Sequence, residues 1–237
     1  MKKVNELIKL PEVKTIFNLF NNNQGIYLVG GCIRDTLSGK EVTDIDFAID
    51  IDPEEVVKTL SNNNIKFYDI GINYGTVTAV IDSKNYEITS LREDVETDGR
   101  HAKVKYTSDI KADSLRRDFT INAIYANRDG ELFDFHNGID DIENRNLKFI
   151  GSANDRVKED YLRILRYFRF YADFSNFEID ANLKKVFKEG SKNFSKISKE
   201  RIWTELKKII NQNNSFKSLS MMNEANILIE ISIDLPA

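Results

Sequence analysis

Cysteine, histidine and long apolar runs are scarce in this sequence of 237 residues. Its single cysteine, Cys32, excludes an internal disulfide and is typical of a reducing compartment such as the cytoplasm. The two histidines, His101 and His136, lie far apart and form no zinc-binding pattern with that cysteine. No apolar run approaches the roughly 20 residues that a membrane helix needs, and the charged N-terminus lacks the apolar stretch of a signal peptide. We therefore expect a cytoplasmic protein without a membrane partner.

Charge is unevenly distributed along the chain. Hydrophobic residues make up 41% of it, as in a globular protein, and the net charge of −4 does not suggest a polyanion-binding protein. Acidic residues are nevertheless dense between residues 41 and 98, and basic residues prevail between residues 156 and 208. This division fits a metal site in the first part and a nucleic-acid contact in the second. A salt-bridged surface fits it equally well.

The order of the hydrophobic patterns predicts an α+β protein with two domains. Strands of a mixed or antiparallel sheet with flanking helices are predicted at residues 25–30, 44–51, 65–70, 75–81, 85–91 and 130–135. Residues 92–113 are polar and aperiodic and predict an irregular segment that is either functional or disordered, whereas residues 114–127 resume helical periodicity. Helical patterns dominate from Val157 onward. We predict an α/β domain over residues 1–145 and an all-α domain over residues 146–237.

Asp44 and Asp46 form the first candidate site, in the predicted strand of residues 44–51. Side chains alternate along a strand, so both carboxylates would share one face, where water, a raised pKa or a cation must relieve their repulsion. Mg²⁺ prefers such oxygen ligands, and this pair could bridge two ions. Glu87, on a later strand, would be a third carboxylate for two-metal phosphoryl transfer. The alternatives are a solvated strand face for the pair and a basic cross-strand partner for Glu87.

A glycine pair and an arginine precede those carboxylates. Gly30 and Gly31 end a predicted strand and begin a helix, where backbone N–H groups approach an anion closely. Arg34 adds a positive charge one turn into that helix. Each signal is weak alone, but the glycines, Arg34 and the aspartates all suit one ligand. They predict a triphosphate held against metal ions on the next strand.

Two later segments carry arginines at positions suited to a nucleotide. Arg117 and Asp118 are predicted to begin a helix in which Arg117 binds phosphate or ribose oxygens. Asp118 is alternatively a helix cap, and Asn122 a residue that hydrogen-bonds locally. Residues 158–174 are predicted as one helix, which would carry Asp160, Arg163 and Arg166 on one face.

That acidic and basic repeat has two interpretations. One is a surface ladder of ion pairs, each worth about 0.2–0.5 kcal/mol. The other is recognition of a nucleobase, because a carboxylate accepts from an exocyclic amine and an arginine donates to a ring nitrogen or carbonyl. Asp160 and Arg163 would then present a Watson–Crick-like edge to ATP or CTP. The repeat alone does not decide between them.

Taken together, these segments resemble the motifs of class II nucleotidyltransferases, the family of tRNA CCA-adding enzymes and bacterial poly(A) polymerases. The segment LVGGCIRD with the following DID, residues 28–46, resembles the family's first motif, and LRRDFTINAI, residues 115–124, its ribose-binding motif. EDYLRILRYFRF, residues 159–170, resembles the nucleobase-selecting helix, and ISKERIWTEL, residues 197–206, the last neck motif. The resemblance covers roughly residues 25–210, and several motifs in order are more specific than any one alone.

The resemblance implies a nucleotidyltransferase head over residues 1–145 and a helical neck over residues 146–237, with the family's body and tail domains absent. It implies transfer of CMP and AMP from CTP and ATP to the 3′ end of tRNA, with two Mg²⁺ ions held by Asp44 and Asp46 and release of pyrophosphate. Asp160 and Arg163 would select the base, supported by Arg166 and Arg169. The predicted nucleotide-binding residues are Gly30, Gly31, Arg34, Arg117, Asp118, Asn122, Asp160, Arg163, Arg166 and Arg169.

Other activities stay open beside CCA addition. An A-adding tRNA nucleotidyltransferase and a poly(A) polymerase share these motifs, and a non-catalytic nucleotide- or RNA-binding module is the alternative of another class. Residues 92–113 resemble the family's flexible loop, which argues against a CC-only enzyme. The basic strand motif that marks poly(A) polymerases is missing after DID, and every proposed catalytic group is present. The sequence does not predict the oligomeric state.

Overall fold

The computed structural model of the chain describes residues 2–20, 24–98 and 101–231. Internal contacts divide it into two compact units, one of Met1–Glu96 with Ala102–Glu143 and one of Thr97–His101 with Asn144–Ala237. The first unit combines a mixed sheet with helices, and the second is built of helices. The predicted α+β class is confirmed. None of the described helices is long and apolar enough to cross a membrane.

Seven of the described strands form one sheet in the first unit, in the order β3-β4-β5-β2-β1-β8-β9. Neighbouring strands run antiparallel except for β2 and β5, which are parallel, so the prediction of a mixed or antiparallel sheet is confirmed. Two further strands, β6 and β7, pair with each other. The strands are β1 Ile26–Val29, β2 Asp46–Ile49, β3 Lys66–Tyr68, β4 Thr76–Ile81, β5 Lys84–Ser90, β6 Arg92–Asp98, β7 His101–Tyr106, β8 Ile124–Ala126 and β9 Leu132–Asp134.

Short helices flank this sheet. They are α1 Lys2–Ile8, α2 Pro11–Leu19, α3 Gly31–Ser38, α4 Pro53–Asn62, α5 Ile110–Leu115 and α6 Gly138–Glu143, with 3-10 turns at Ile72–Tyr74 and Thr120–Asn122. The start of α4 follows the sequence, because Asp52 takes the N-cap position in extended conformation and Pro53 the first helical position. Strand β1 ends directly before the glycine pair, and α3 begins at Gly31, as predicted.

Two predictions for the middle of the chain are wrong. Residues 92–113 contain β6, β7 and most of α5 rather than one irregular segment. Residues 114–127 contain the end of α5, a 3-10 turn and β8 rather than a helix. The apolar residues there do not form one helical stripe, because Ile121, Ile124, Tyr125 and Ala126 are all fully buried. A β-branched and aromatic segment enclosed on both faces is better suited to a sheet than to a surface helix.

The second unit contains α7 Ala153–Glu159, α8 Leu162–Phe174, α9 Ala181–Ser191, α10 Lys199–Ile210 and α11 Ser215–Glu224, with 3-10 turns at Phe194–Lys196 and Leu228–Glu230. Helix α8 carries its core. The predicted apolar stripe is confirmed, since Leu162, Leu165 and Phe168 are buried. Aromatic rings extend this core: Tyr167 stacks on Phe149 with centroids 5.7 Å apart.

The single helix predicted over residues 158–174 is interrupted at Asp160. This residue is extended, with φ −151° and ψ 107°, and it separates α7 from α8. Its Oδ1 accepts a hydrogen bond from the backbone N–H of Leu162 at 3.1 Å. Aspartate side chains compete in this way with helical backbone bonds, which explains why the chain breaks here despite its continuous helical pattern.

Candidate active site

Two carboxylates meet on the sheet of the first unit. Asp46 is the first residue of β2, and Glu87 is its register partner on β5. Paired residues on neighbouring strands project to the same face, so the expectation that Glu87 lies beside Asp46 agrees with the register. Burial and the charge of Glu87 raise the pKa of the Asp46 carboxyl to about 6, against the lowering effect of Arg117. A cation between the two carboxylates would relieve this repulsion.

Asp44 lies outside the strand. Strand β2 begins at Asp46, two residues later than predicted, so strand alternation does not place Asp44. The argument that put both aspartates on one strand face is therefore wrong. Asp44 is exposed, and its Oδ2 accepts a hydrogen bond from Thr43 Oγ1 at 3.2 Å. Its charge still contributes to the raised pKa of Asp46, so the two carboxylates are close enough to interact.

These carboxylates fit a metal ion that shares its ligands with a substrate. Among the described residues, no group of three or more His, Cys, Asp or Glu side chains is arranged to hold a metal by itself. Mg²⁺ is usually bound by one or two carboxylates and keeps waters and substrate phosphates as its other ligands. Asp46 and Glu87 supply hard oxygen donors, and burial together with the charge of Glu87 raises the pKa of Asp46. The donor set suits Mg²⁺ completed by a polyphosphate.

A glycine turn lies next to two arginines. Gly30 has φ +76° and ψ −125°, a conformation that essentially only glycine adopts without strain. A Cβ at Gly30 would lie 3.6 Å from Arg117 Nη1 and 3.8 Å from the carbonyl oxygen of Asn122. A Cβ at Gly31 would lie 3.7 Å from Arg34 Nη2. The turn therefore brings Arg34, Arg117 and Asn122 together, although they are distant in sequence.

Arg34 is held in a fixed orientation by a short polar chain. Its Nε and Nη2 donate to the two Asp35 carboxylate oxygens at 2.9 and 2.7 Å, and its Nη1 donates to Asn122 Oδ1 at 2.6 Å. Asn122 Nδ2 in turn donates to Asp118 Oδ1 at 3.0 Å, which agrees with the local bond expected for Asn122. Asp118 is only 6% exposed and also accepts from the Phe119 backbone N–H. In this structure Asp118 positions Asn122.

Asp113 holds Arg117 in place, and sequence analysis did not identify it as a site residue. It is fully buried and accepts hydrogen bonds from Arg116 Nε at 2.8 Å, Arg117 Nη2 at 3.2 Å and Tyr125 Oη at 2.6 Å. Burial raises the pKa of Asp113, but the charges of Arg117 and Arg116 outweigh it and hold the value at about 2. The available signal was its spacing of three and four residues from the two arginines.

The candidate base-selecting residues lie in the second unit. Asp160 occupies the break between α7 and α8, so it does not continue a helical face with Arg163, and the predicted ladder is wrong at this point. Asp160 Oδ2 instead accepts from Arg201 Nη2 at 2.8 Å. Arg163 Nη1 donates to the Glu159 carboxylate and, at 3.0 Å, to the Arg156 carbonyl oxygen. Asp160 and Arg163 thus form hydrogen bonds with different residues.

Arg163, Arg166 and Arg169 do recur on one helix. All three are half-buried on α8. Arg169 Nη1 lies 3.1 and 3.0 Å from the two carboxylate oxygens of Glu205, which is 5% exposed on α10. Sequence analysis did not single out Arg201 or Glu205, although both belong to the segment that resembles the last neck motif.

Comparisons with known proteins agree with this geometry. Residues 26–148 match the family described as the poly A polymerase head domain. Residues 176–232 match the family described as a probable RNA and SrmB-binding site of polymerase A. The first match covers more than half of the chain. The chain belongs to the poly(A) polymerase head family, and the resemblance to class II nucleotidyltransferases is confirmed.

The individual relatives are named as CCA tRNA nucleotidyltransferases or CCA-adding enzymes. The chain is 40% identical over 232 residues to the mitochondrial CCA tRNA nucleotidyltransferase 1 of Danio rerio, covering 93% of this chain and 54% of the relative. It is 38% identical over 186 residues to the CCA-adding enzyme of Streptococcus gordonii, covering 78% and 45%. The Bacillus stearothermophilus CCA-adding enzyme in complex with CTP superimposes with a TM-score of 0.80 and 27% identity, covering 92% and 53%. The chain spans about half the length of these relatives.

Proposed function

We propose that this protein is a template-independent RNA nucleotidyltransferase that adds CMP and AMP, from CTP and ATP, to the 3′ end of tRNA. The observation that carries the proposal is the Asp46–Glu87 carboxylate pair on a sheet whose glycine turn holds Arg34 and Arg117. The names of the relatives and the CTP bound to the Bacillus stearothermophilus enzyme support it. In this proposal residues 1–145 act as the catalytic head and residues 146–237 as the neck.

The chain's own groups would hold and orient the triphosphate. Backbone N–H groups at the start of α3 would face the triphosphate, and Arg34 would donate to phosphate oxygens from an orientation fixed by Asp35. Arg117, fixed by Asp113, binds near the sugar. The 3′-hydroxyl oxygen of the primer forms a bond to the α-phosphorus while the bond from that phosphorus to pyrophosphate breaks in line, and the hydroxyl proton passes to water.

Mg²⁺ is the proposed metal. Asp44 and Asp46 would hold it, with Glu87 as a third carboxylate. When bound, it supplies Lewis-acid chemistry that makes the primer hydroxyl more acidic and neutralises the triphosphate. Arg34 and Arg117 both lower the pKa of Asp46, so their positive charges act at the carboxylate site. The same charges would stabilise the phosphates of a nucleotide bound there.

Base selection is assigned to the second unit. We propose that Asp160 accepts from the exocyclic amine shared by adenine and cytosine, and that Arg163 donates to the ring nitrogen. Asp160 already accepts from Leu162 and Arg201, but each carboxylate oxygen has two lone pairs, so one further bond is available to each. Arg166 and Arg169 would support this edge from the same helix.

An incorporation assay tests the reaction. Labelled CTP and ATP are offered to tRNA transcripts that lack CCA and to transcripts that end in CC. We expect CMP and AMP on the first and AMP on the second. Incorporation of ATP alone, onto the CC-ended transcript only, would instead indicate an A-adding enzyme. A long adenosine tract would indicate a poly(A) polymerase, and no incorporation at all would favour a non-catalytic binding module.

The carboxylate assignment has its own test. Asp46→Asn and Asp44→Ala should abolish incorporation, and Asp46→Asn should keep or raise the Tm because it removes charge repulsion from a buried carboxylate. Adding Mg²⁺ should raise the Tm of the wild type more than that of Asp46→Asn. Asp82→Asn is the matched control, because Asp82 is exposed in the turn between β4 and β5, where asparagine is tolerated. Full activity in Asp46→Asn would refute the metal assignment.

A cytoplasmic location is the remaining proposal, supported by the free Cys32. The Danio rerio relative is named as mitochondrial, so fractionation of cells that express the chain is the deciding measurement. Recovery with an organelle fraction would refute the cytoplasmic proposal.

A further inference from the structure

Strand register connects the paired carboxylates to an exposed tyrosine at the edge of the sheet. Tyr68 on β3 pairs with Thr78 on β4, Thr78 pairs with Glu87 on β5, and Glu87 pairs with Asp46 on β2. Register partners project to the same face. Tyr68, Thr78, Glu87 and Asp46 therefore form one row of side chains across four strands, which we call the carboxylate row.

Burial shows which part of this row is open to a ligand. Beyond Asp46, the row continues through Val29 and Tyr125, which are 2% and 0% exposed. In the other direction Thr78 is half-buried, Glu87 is exposed and Tyr68 is 44% exposed. A polymer whose end reaches Asp46 along this row can therefore extend over Thr78 toward Tyr68.

The carboxylate row is as long as a short stretch of single-stranded nucleic acid. Neighbouring strands lie about 4.8 Å apart, so three steps from Asp46 to Tyr68 span roughly 14 Å. Stacked bases rise about 3.4 Å each, so this distance corresponds to about four stacked nucleotides. Tyr68 is too far along the row to touch the reacting hydroxyl, but it lies within reach of a base several positions upstream.

Tyr68 also has the chemistry of a base-stacking position. Proteins bind single-stranded nucleic acid by combining exposed aromatic rings with basic side chains. Lys66 lies two residues away on the same face of β3, with its Nζ 5.4 Å from the centre of the Tyr68 ring. It is exposed and supplies a positive charge for a neighbouring phosphate. The edge of the sheet thus offers an aromatic ring and a cation at the end of the row that lies farthest from Asp46.

We propose that Tyr68, assisted by Lys66, stacks on a base upstream of the 3′ end of the acceptor RNA and positions that end over Asp46 and Glu87. The inference rests on the proposed function, because the RNA end must come to those carboxylates. Tyr68 is a positioning residue: it does not touch the reacting atoms. Its contact is with a base face, so it should be tolerant of base identity.

Two acceptors of different length test the proposal. One is a hairpin RNA with four unpaired nucleotides at its 3′ end, and the other is a dinucleotide that cannot reach Tyr68. Tyr68→Ala should raise the KM for the hairpin roughly tenfold. The kcat and the KM for CTP should stay unchanged. Tyr68→Trp should restore the hairpin KM, and the dinucleotide KM should be the same for all variants.

A binding measurement separates this inference from the proposed function. Fluorescence anisotropy of the labelled hairpin, without nucleotide, should show the same roughly tenfold weakening in Tyr68→Ala and none in Phe135→Ala. Phe135 is a suitable control, because it is 37% exposed and follows β9 at the opposite edge of the sheet. If the wild type binds this RNA in a Tyr68-dependent way but incorporates nothing, the proposed reaction fails and the RNA contact stands.

Several results would overturn the inference. Equal hairpin affinity in wild type and Tyr68→Ala would do so, as would an equal loss with the dinucleotide. The edge strand β3 could instead pair with a second copy of the chain. A dimer seen by sedimentation that dissociates in Tyr68→Ala, with RNA binding unchanged, would assign the exposed ring to that contact and refute the RNA contact.

Discussion

Asp113→Asn offers a test of how the arginine cluster is held. Asp113 has no exposed surface and bonds to Arg116, Arg117 and Tyr125. Its pKa is about 2 in the folded protein, against about 3.9 in an unfolded chain. At neutral pH this difference corresponds to roughly 2–3 kcal/mol of stabilisation. Removing the charge also breaks the buried ion pairs of Asp113 with Arg116 and Arg117, and loss of one partner of a buried pair typically costs about 3–5 kcal/mol.

We therefore expect Asp113→Asn to lower the free energy of unfolding by about 3 kcal/mol or more at pH 7. Urea titration followed by circular dichroism measures this as a shift in midpoint at constant slope. The pH dependence gives a second signature. A lowered folded pKa stabilises the protein above the unfolded pKa, and this contribution is lost as the pH falls toward 2. The stabilities of wild type and variant should therefore converge between about pH 4 and pH 2.

Asp109→Asn is the matched control for this variant. Asp109 precedes the same helix, α5, and its exposed side chain accepts from the Lys111 backbone N–H at 2.8 Å. Asparagine caps helices about as well as aspartate, so stability should change little. A loss below about 1 kcal/mol in Asp113→Asn would contradict the argument for a buried charge cluster. So would a difference from wild type that persists unchanged at pH 2.

Three further substitutions probe other parts of the chain. Gly138→Ala should lower the Tm, because its Cβ would lie 2.2 Å from the Thr120 carbonyl oxygen, and an unchanged Tm would contradict this packing. Glu205→Gln should lower the free energy of unfolding by about 3 kcal/mol in urea, because it removes the buried carboxylate that pairs with Arg169; a loss within error would show that the pair is solvated. Arg163→Ala should reduce the preference for ATP and CTP over GTP and UTP in competition assays more than it raises the KM for triphosphate, and unchanged selectivity would count against base recognition.

The first motif could be predicted from the sequence because its signals are local. An apolar strand that ends at two glycines fixes where β1 stops and α3 starts, and helical spacing identifies the buried face of α8. The approach of Glu87 to Asp46 was harder to predict from the sequence. It depends on the parallel pairing of β2 with β5, and the two residues are 41 positions apart in the chain. It could be proposed only because two-metal chemistry commonly uses a third carboxylate.

The errors share a different cause. Continuous helical periodicity between residues 158 and 174 conceals the break at Asp160, because periodicity records burial and not the backbone bonds that a short polar side chain captures. Asp44 was placed on β2 by alternation, but the strand starts only at Asp46. Strand ends depend on pairing with neighbours, and one sequence does not contain that information.

The carboxylates that sequence analysis missed show how an arginine is held in each unit. Arg117 and Arg169 each bond to a carboxylate that is almost fully buried, Asp113 in the first unit and Glu205 in the second. A carboxylate in such a position costs free energy unless a cation is present, and the cation is in turn confined by it. Each arginine is therefore held in one orientation, and under the proposed function this would reduce the entropy lost when a ligand binds. Lysine at either position would keep the charge but lose the planar set of donors that these contacts use.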